Sequence, residues 1–229
     1  MPVTTCVFDA YGTLFDVTAA ARACAAEPGR EALAAVAPRL AETWRLKQLQ
    51  YSWLRAVTGA HADFWQVTGE ALDYAMEEAG LGPDPGLAAR LMDLYRELEA
   101  YPEVPDMLAG LKARGLSTAI LSNGAPAMLA DAVASAGIGA DLDAVLSVED
   151  AGVFKPARAV YDLVGRCFGC PPWDVLFVSS NGWDAAAAAG YGFRTLWVNR
   201  SGLPVDRLPW RPDSIAPDLT TVAGIATGS

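Results

Sequence analysis

The stretch Val3-Thr4-Thr5-Cys6-Val7-Phe8-Asp9-Ala10-Tyr11-Gly12-Thr13-Leu14-Phe15-Asp16 decides the fold. Its apolar run stops at an acidic residue and is followed by a glycine that permits a tight turn. The same arrangement recurs down the chain: Leu116–Leu121 ends at Ser122, Ala144–Leu146 at Ser147, Val175–Val178 at Ser179 and Thr195–Val198 at Asn199. Between these runs lie helical patterns at Val104–Ala113, Pro126–Ala136, Pro156–Phe168 and Asp184–Ala189, several followed by a closing glycine such as Gly115, Gly137 or Gly169. Short apolar runs of this kind read as parallel strands buried on both faces. Their alternation with helices predicts an α/β fold, a doubly wound and mostly parallel sheet, which binds ligands at the carboxyl ends of its strands. Each polar residue that ends a run falls at that edge.

The first strand is not followed by a short connector. Helical pattern runs from about Val17 to Ala100, roughly 85 residues, too long for a loop inside a compact domain, and an inserted second domain is expected. Leu33, Val36, Leu40 and Trp44 repeat every three to four residues, and Leu46, Leu49, Trp53, Leu54 and Val57 continue the pattern. Trp65 to Met76 and Leu87 to Leu98 behave alike, so these stripes are expected to form the core of a small helical bundle. The predicted division is 1–16 with 101–229 as the α/β domain and 17–100 as the insertion. The tail beyond Gly202 carries Pro204, Pro209, Pro212 and Pro217 and reads as irregular chain, with a short strand at Ser214–Ala216 and a weak helix after it.

Composition narrows the function classes. The 229 residues include 17 Lys+Arg against 27 Asp+Glu, a net charge of −10, and 52% are apolar, so the chain has ample core and is not a disordered tail. No basic run is available to neutralise phosphates, which argues against a nucleic-acid partner. The opening residues lack a basic segment, and no uncharged apolar window approaches the length of a membrane span; a cytosolic protein without a membrane partner is expected. Four cysteines are too sparse for a disulfide scaffold. Cys167 and Cys170 form a C-x-x-C, but the other cysteines are distant and His61 is the only histidine, so a zinc site is not furnished. The pair closes a helix instead of opening one, and inert thiols are expected.

Asp9 at a strand end, with Gly12 and Thr13 in the turn beyond it, suits a carboxylate nucleophile. It equally suits an aspartate that caps a helix or satisfies a turn, and alone the motif favours the latter. Three further stretches shift that balance: Ile120-Leu121-Ser122-Asn123-Gly124, Val153-Phe154-Lys155-Pro156 and Val178-Ser179-Ser180-Asn181-Gly182-Trp183-Asp184. With Val7–Asp16, their order and spacing resemble the haloacid dehalogenase superfamily over essentially the whole chain. The closer resemblance is to the L-2-haloacid dehalogenases, through Trp44-Arg45-Leu46-Lys47-Gln48-Leu49-Gln50-Tyr51-Ser52-Trp53-Leu54 in the insertion and the Ser-Ser-Asn-x-Trp-Asp stretch at 179–184.

The resemblance implies a Rossmann-like core under a helical cap and hydrolysis of short L-2-haloalkanoic acids to D-2-hydroxy acids, with no cofactor or metal. Asp9 would attack C2, Thr13 would hydrogen-bond Asp9, and the halide would leave toward Arg45, Asn123 and Trp183. Asp184 would be the general base, Lys155 would counter the Asp9 charge with Tyr161 supporting it, and Ser179 and Asn181 would orient the groups. Ser122 and the backbone N–H groups of Ala10 and Tyr11 would hold the substrate carboxylate, and Tyr11, Leu49, Phe64 and Trp183 would wall the alkyl group. A homodimer through the cap helices is also implied. The residues supply a chemical argument beside this. Phosphatases of the superfamily carry a second aspartate two residues after the nucleophile, where this chain has Tyr11, and a phenol with an ordinary pKa of about 10 is no base near neutrality. Halide departs without a proton and needs a cationic pocket instead, which Arg45 can supply. Two readings stand against this one: a Mg²⁺-dependent small-molecule phosphatase, and a non-catalytic binder. Individually, Arg45 reads as a solvated cation beside Arg39, Lys47 and Arg55, Lys155 as a loop lysine and Asp184 as a helix N-cap. One departure stands out: the glutamine that usually follows the cap arginine is replaced by Leu46, which is expected to make the pocket more apolar.

Overall fold

The computed structural model describes residues 3–228; Met1 and Pro2 of the opening segment and Ser229 of the tail lie outside it. Six strands form one parallel sheet: β1 (Thr5–Phe8), β2 (Ser117–Ser122), β3 (Ala144–Ser147), β4 (Val175–Ser179), β5 (Arg194–Val198) and β6 (Ser214–Ala216), in the order β3-β2-β1-β4-β5-β6. Every residue of β1 and β4 is buried, because helices cover both faces of the central strands. At the edges Val145 of β3 and Ile215 of β6 are exposed. The connecting helices are α5 (Val104–Lys112), α6 (Pro126–Ala136), α7 (Arg158–Phe168), α8 (Gly182–Tyr191) and the terminal α9 (Val222–Thr227). Right-handed crossovers put the leftward and rightward connections on opposite faces. Accordingly α7 packs with α8, while α9, which follows the last strand, packs with α5.

From β1 the chain winds to one side and from β4 to the other, so the two adjacent strands flank the switch point where such sheets open a crevice. The register pairs Phe8 with Ile120 and with Val178. One step on, Asp9 stands level with Ser179 at the open edge. Two expected helix starts move: α7 begins at Arg158, two residues after Pro156, and α8 begins at Gly182, so Asn181 is its N-cap and Asp184 falls in its first turn. All four cysteines are free, and Cys167 is exposed at the end of α7.

Between β1 and α5 the chain forms four helices, α1 (Ala19–Ala25), α2 (Glu31–Thr58), α3 (Phe64–Glu78) and α4 (Pro85–Arg96). The chain leaves and re-enters the sheet layer at one place, where Asp16 N donates to Glu99 O at 3.0 Å and Tyr101 N to Leu14 O at 2.9 Å. The apolar stripe of α2 departs from expectation. Its buried residues are Leu33, Ala37, Leu40, Trp44, Gln48 and Ser52, while Leu46, Leu54 and Val57 are exposed. At about 100° per residue the face defined by Leu40 and Trp44 continues through position 48 and not position 46, so helical geometry carries two polar residues inside and turns three apolar ones out. Among the described residues no helix is long and apolar enough to cross a membrane.

Candidate active site

The loop after β1 turns tightly on Gly12, whose φ of +88° is open to glycine but strained for other residues. A Cβ there would also sit 3.0 Å from Ser180 Oγ. Within the turn the amides of Gly12, Thr13, Leu14 and Phe15 bond to Phe15 O or Ala10 O. Among the described residues the amides of Ala10 and Tyr11 make no such bond.

Asp9 is 6% exposed and receives three donors: Lys155 Nζ on Oδ1 at 3.1 Å, and Thr13 Oγ1 and Asn181 Nδ2 on Oδ2, each at 3.0 Å. Lys155, reached from the loop between β3 and α7, is 1% exposed and also donates to Asp184 Oδ2 at 2.8 Å. The ammonium thus lies between two buried carboxylates. Tyr161 of α7 satisfies the other Asp184 oxygen at 2.7 Å, which matters because a buried carboxylate with an open lone pair is costly. Burial alone would lower the Lys155 pKa, but Asp184 and Asp9 outweigh it and hold the group above the ordinary lysine value. Burial pushes Asp184 above the usual carboxylate range; the Lys155 charge opposes this rise and the Asp9 charge adds to it. Burial, reinforced by the Asp184 charge, raises the Tyr161 phenol far enough that it stays a donor.

Arg45 comes down from α2 to the same place. Its Nη2 donates to Asn181 Oδ1 at 3.2 Å and to Tyr11 O at 3.4 Å, and its Nη1 to Gln48 Oε1 at 2.8 Å. Asn181 therefore joins the two halves, its amide nitrogen on Asp9 and its carbonyl on the guanidinium. Ser179 accepts the Asn181 N–H at 3.1 Å, Ser122 accepts that of Gly124 at 3.1 Å, and Asn123 Oδ1 accepts the Lys155 N–H at 3.0 Å. Tyr11 is buried, its ring 6.2 Å from that of Phe64 and 5.3 Å from that of Tyr95. Burial, with the nearby Tyr95 and Asp9, drives its phenol well above the ordinary value, so position 11 supplies no base. Its hydroxyl and the indole N–H of Trp183 are buried without a partner among the described residues. Trp183 meets Trp53 edge to face at 5.3 Å.

Asp9, Thr13, Arg45, Lys155, Tyr161, Asn181 and Asp184 are thus one connected network, with Ser179 and Asn123 joined to it through backbone bonds. Ser122 is buried nearby with its own local contact. Leu49 instead lines, with Arg45, Leu46, Gln48 and Tyr95, a cavity of about 580 Å³ between α1 and α2 whose walls do not include Asp9. Leu46, 58% exposed, belongs to that outer cavity, so its apolar side chain bears on the space behind Arg45 and not on the wall beside Asp9. Asp184 is not an N-cap: it lies fully buried in the first turn of α8, where the helix dipole favours a carboxylate. Three participants escaped the sequence reading. Ser180 donates its N–H to Thr13 Oγ1 at 2.8 Å, and Gln48 and Tyr95 stand behind Arg45. The signals for Gln48 were its place in the Trp44–Leu54 stretch and its position four residues after Trp44 on the buried stripe.

The family model of haloacid dehalogenase-like hydrolases matches residues 3–192. The chain is 44% identical over 203 residues to (S)-2-haloacid dehalogenase 1 of Pseudomonas sp. (strain CBS-3), covering 89% of this chain and 87% of that one. It is 48% identical over 195 residues to the (S)-2-haloacid dehalogenase of Xanthobacter autotrophicus, covering 85% and 74%. The solved L-2-haloacid dehalogenase from Xanthobacter autotrophicus with chloropropionic acid covalently bound superposes with a TM-score of 0.86 at 40% identity, over 99% of both chains.

Proposed function

Because the chain belongs to the haloacid dehalogenase-like hydrolases and, among them, to the (S)-2-haloacid dehalogenases, we propose a full reaction for it. It is a hydrolase of carbon–halide bonds that converts short L-2-haloalkanoic acids to D-2-hydroxy acids through an ester on Asp9. The observation that carries this reading is the buried row Asp9–Lys155–Asp184 joined through Asn181 to the cap arginine, in a fold whose relative holds chloropropionic acid covalently.

The Asp9 carboxylate, fixed by three donors, attacks C2 from the side opposite the halogen. The C–O bond forms as the carbon–halogen bond breaks, the halide leaves with the bonding pair, and C2 inverts. The always-charged guanidinium of Arg45 receives the anion together with Asn123 and the unpartnered indole N–H of Trp183. Ser122 and the amides of Ala10 and Tyr11 hold the substrate carboxylate, as successive backbone N–H groups hold anions. Phe64, Tyr11 and Trp183 form the apolar wall. Water then adds to the ester carbonyl carbon of Asp9 as one of its protons passes to Asp184. The bond from that carbon to the ester oxygen breaks, the departing product oxygen takes the proton back from Asp184, and Asp9 is regenerated as carboxylate with the water's second proton lost to solvent. Lys155 balances the charge on Asp9, Tyr161 fixes Asp184, and Ser179 and Asn181 hold the geometry. We assign residues 17–100 as the cap and 1–16 with 101–229 as the catalytic core.

A cytoplasmic location and a homodimer belong to the same proposal. The four unpaired cysteines favour a reducing compartment. Leu46, Leu54 and Val57, exposed on α2, fall within about 80° of one another around its axis and form an apolar face suited to a second copy.

Single turnover in ¹⁸O water with enzyme in excess over L-2-chloropropionate tests the chemistry. Chloride is expected, with the label entering Asp9 before the product, and Asp9→Asn is expected to release none. Label found only in the product overturns the ester, and phosphate release from phosphoglycolate that a chelator abolishes, without any chloride, overturns the reaction class.

A further inference from the structure

Arg45 has no carboxylate within 4.0 Å among the described residues, whereas Arg22, Arg39, Arg55, Arg90 and Arg200 each pair with one. The oxygens to which it donates are all neutral: two carbonyls on side-chain amides and one on the backbone. The shortest of these bonds is to Gln48, which is 1% exposed in the interior of α2. A buried amide must be satisfied at both ends, and here its nitrogen donates to Thr68 Oγ1 at 2.8 Å and to Tyr95 OH at 3.2 Å.

The direction of that amide follows from proton counting. Thr68 has one hydroxyl proton and gives it to Phe64 O at 2.6 Å, so toward Gln48 it can only accept. Gln48 must therefore turn its NH₂ to Thr68 and its carbonyl to Arg45. A reversed amide would set N–H against N–H at the guanidinium and lose Thr68 as well. Thr68 lies on α3 and Tyr95 on α4, so three cap helices determine where the arginine of α2 is held.

We propose that Gln48 is the positioning residue of Arg45, a neutral acceptor whose orientation is set by Thr68 and which aims the guanidinium at the crevice without cancelling its charge. The inference rests on the dehalogenase reading above and deepens it: the halide-receiving cation works because its support is an amide. A glutamate of the same shape would keep the hydrogen bond but neutralise the cation and oppose the arriving anion.

The test compares Gln48→Glu with Gln48→Leu, reading kcat, KM for L-2-chloropropionate, inhibition by free bromide and the melting temperature. Gln48→Glu is expected to lower kcat by about 100-fold and weaken bromide inhibition by about 10-fold, and to lose more than Gln48→Leu, with KM changing less than kcat. A merely structural role predicts the reverse order, since the glutamate preserves the bond from Arg45 and can accept from Tyr95 OH and from a Thr68 hydroxyl turned away from Phe64 O, whereas the leucine deletes them all. Thr68→Val, which frees the amide to turn over, is expected to lose roughly 3- to 10-fold in kcat and serves if Gln48→Glu does not fold. Gln48→Glu with unchanged bromide inhibition, or milder than Gln48→Leu, overturns the proposal. Wild-type protein that releases no halide overturns the underlying reaction instead.

Discussion

Asp9 and Asp184 share a functional group and are suited to different tasks because their surroundings differ. Asp9 accepts three hydrogen bonds at the mouth of the crevice, whereas Asp184 is fully buried against one ammonium and one phenol. Desolvation raises Asp184, and a general base acts only when ionised, so activity should fall as pH drops through that raised value. The acidic limb of kcat is expected above the ordinary aspartate pKa of about 3.9, as a pH–rate profile will show. Lys155→Met removes the charge that opposes the rise and should move the limb of ester hydrolysis to still higher pH. Asp184→Asn is expected to slow ester hydrolysis by roughly 10²- to 10⁴-fold, leaving Asp9 esterified and visible as added mass in the intact protein. The type of each of these residues was legible in the sequence at a strand end or helix start. Which carboxylate is drier was not, because burial is a sum over neighbours from four elements.

At the scale of elements, β1 and its turn were readable from residue order alone: six residues without charge, an acid, then a glycine. Gly12→Ala tests that turn. With φ at +88° and the new Cβ 3.0 Å from Ser180 Oγ, the substitution is expected to cost about 1–3 kcal/mol in urea unfolding with little change in slope. Halide release should fall too, since Ser180 and Thr13 share the contact that orients Asp9. Helix α2 was legible as a helix but not as a face. Its leucines divide between the bundle and the surface, and the buried stripe runs on through Gln48 and Ser52. Hydropathy marks Gln48 as a surface residue; its burial becomes affordable only where Thr68, Tyr95 and Arg45 meet all its hydrogen-bonding groups.

Over the whole molecule, the insertion and the sheet are tied where the chain crosses between them and again at the crevice. His61 Nε2 meets Glu149 Oε2 at 3.0 Å, and Arg45 reaches Tyr11 O and Asn181. The exposed apolar face of α2 makes a prediction at this scale. Light scattering should give twice the chain mass for the wild type, and Val57→Glu, at a residue 86% exposed, should halve it while leaving the fold's circular dichroism unchanged. A wild-type monomer would remove the dimer from the proposal. The sequence alone determined the parallel sheet, the helical insertion and the acid at the first strand end, because strand and helix periodicities and turn residues act over a few neighbours. Only the tertiary structure decided that Asn181 bridges Asp9 and Arg45, residues 172 and 136 positions away from it, and that an amide stands behind the guanidinium. Such contacts depend on how helices rotate about their own axes when they pack, which no local pattern records.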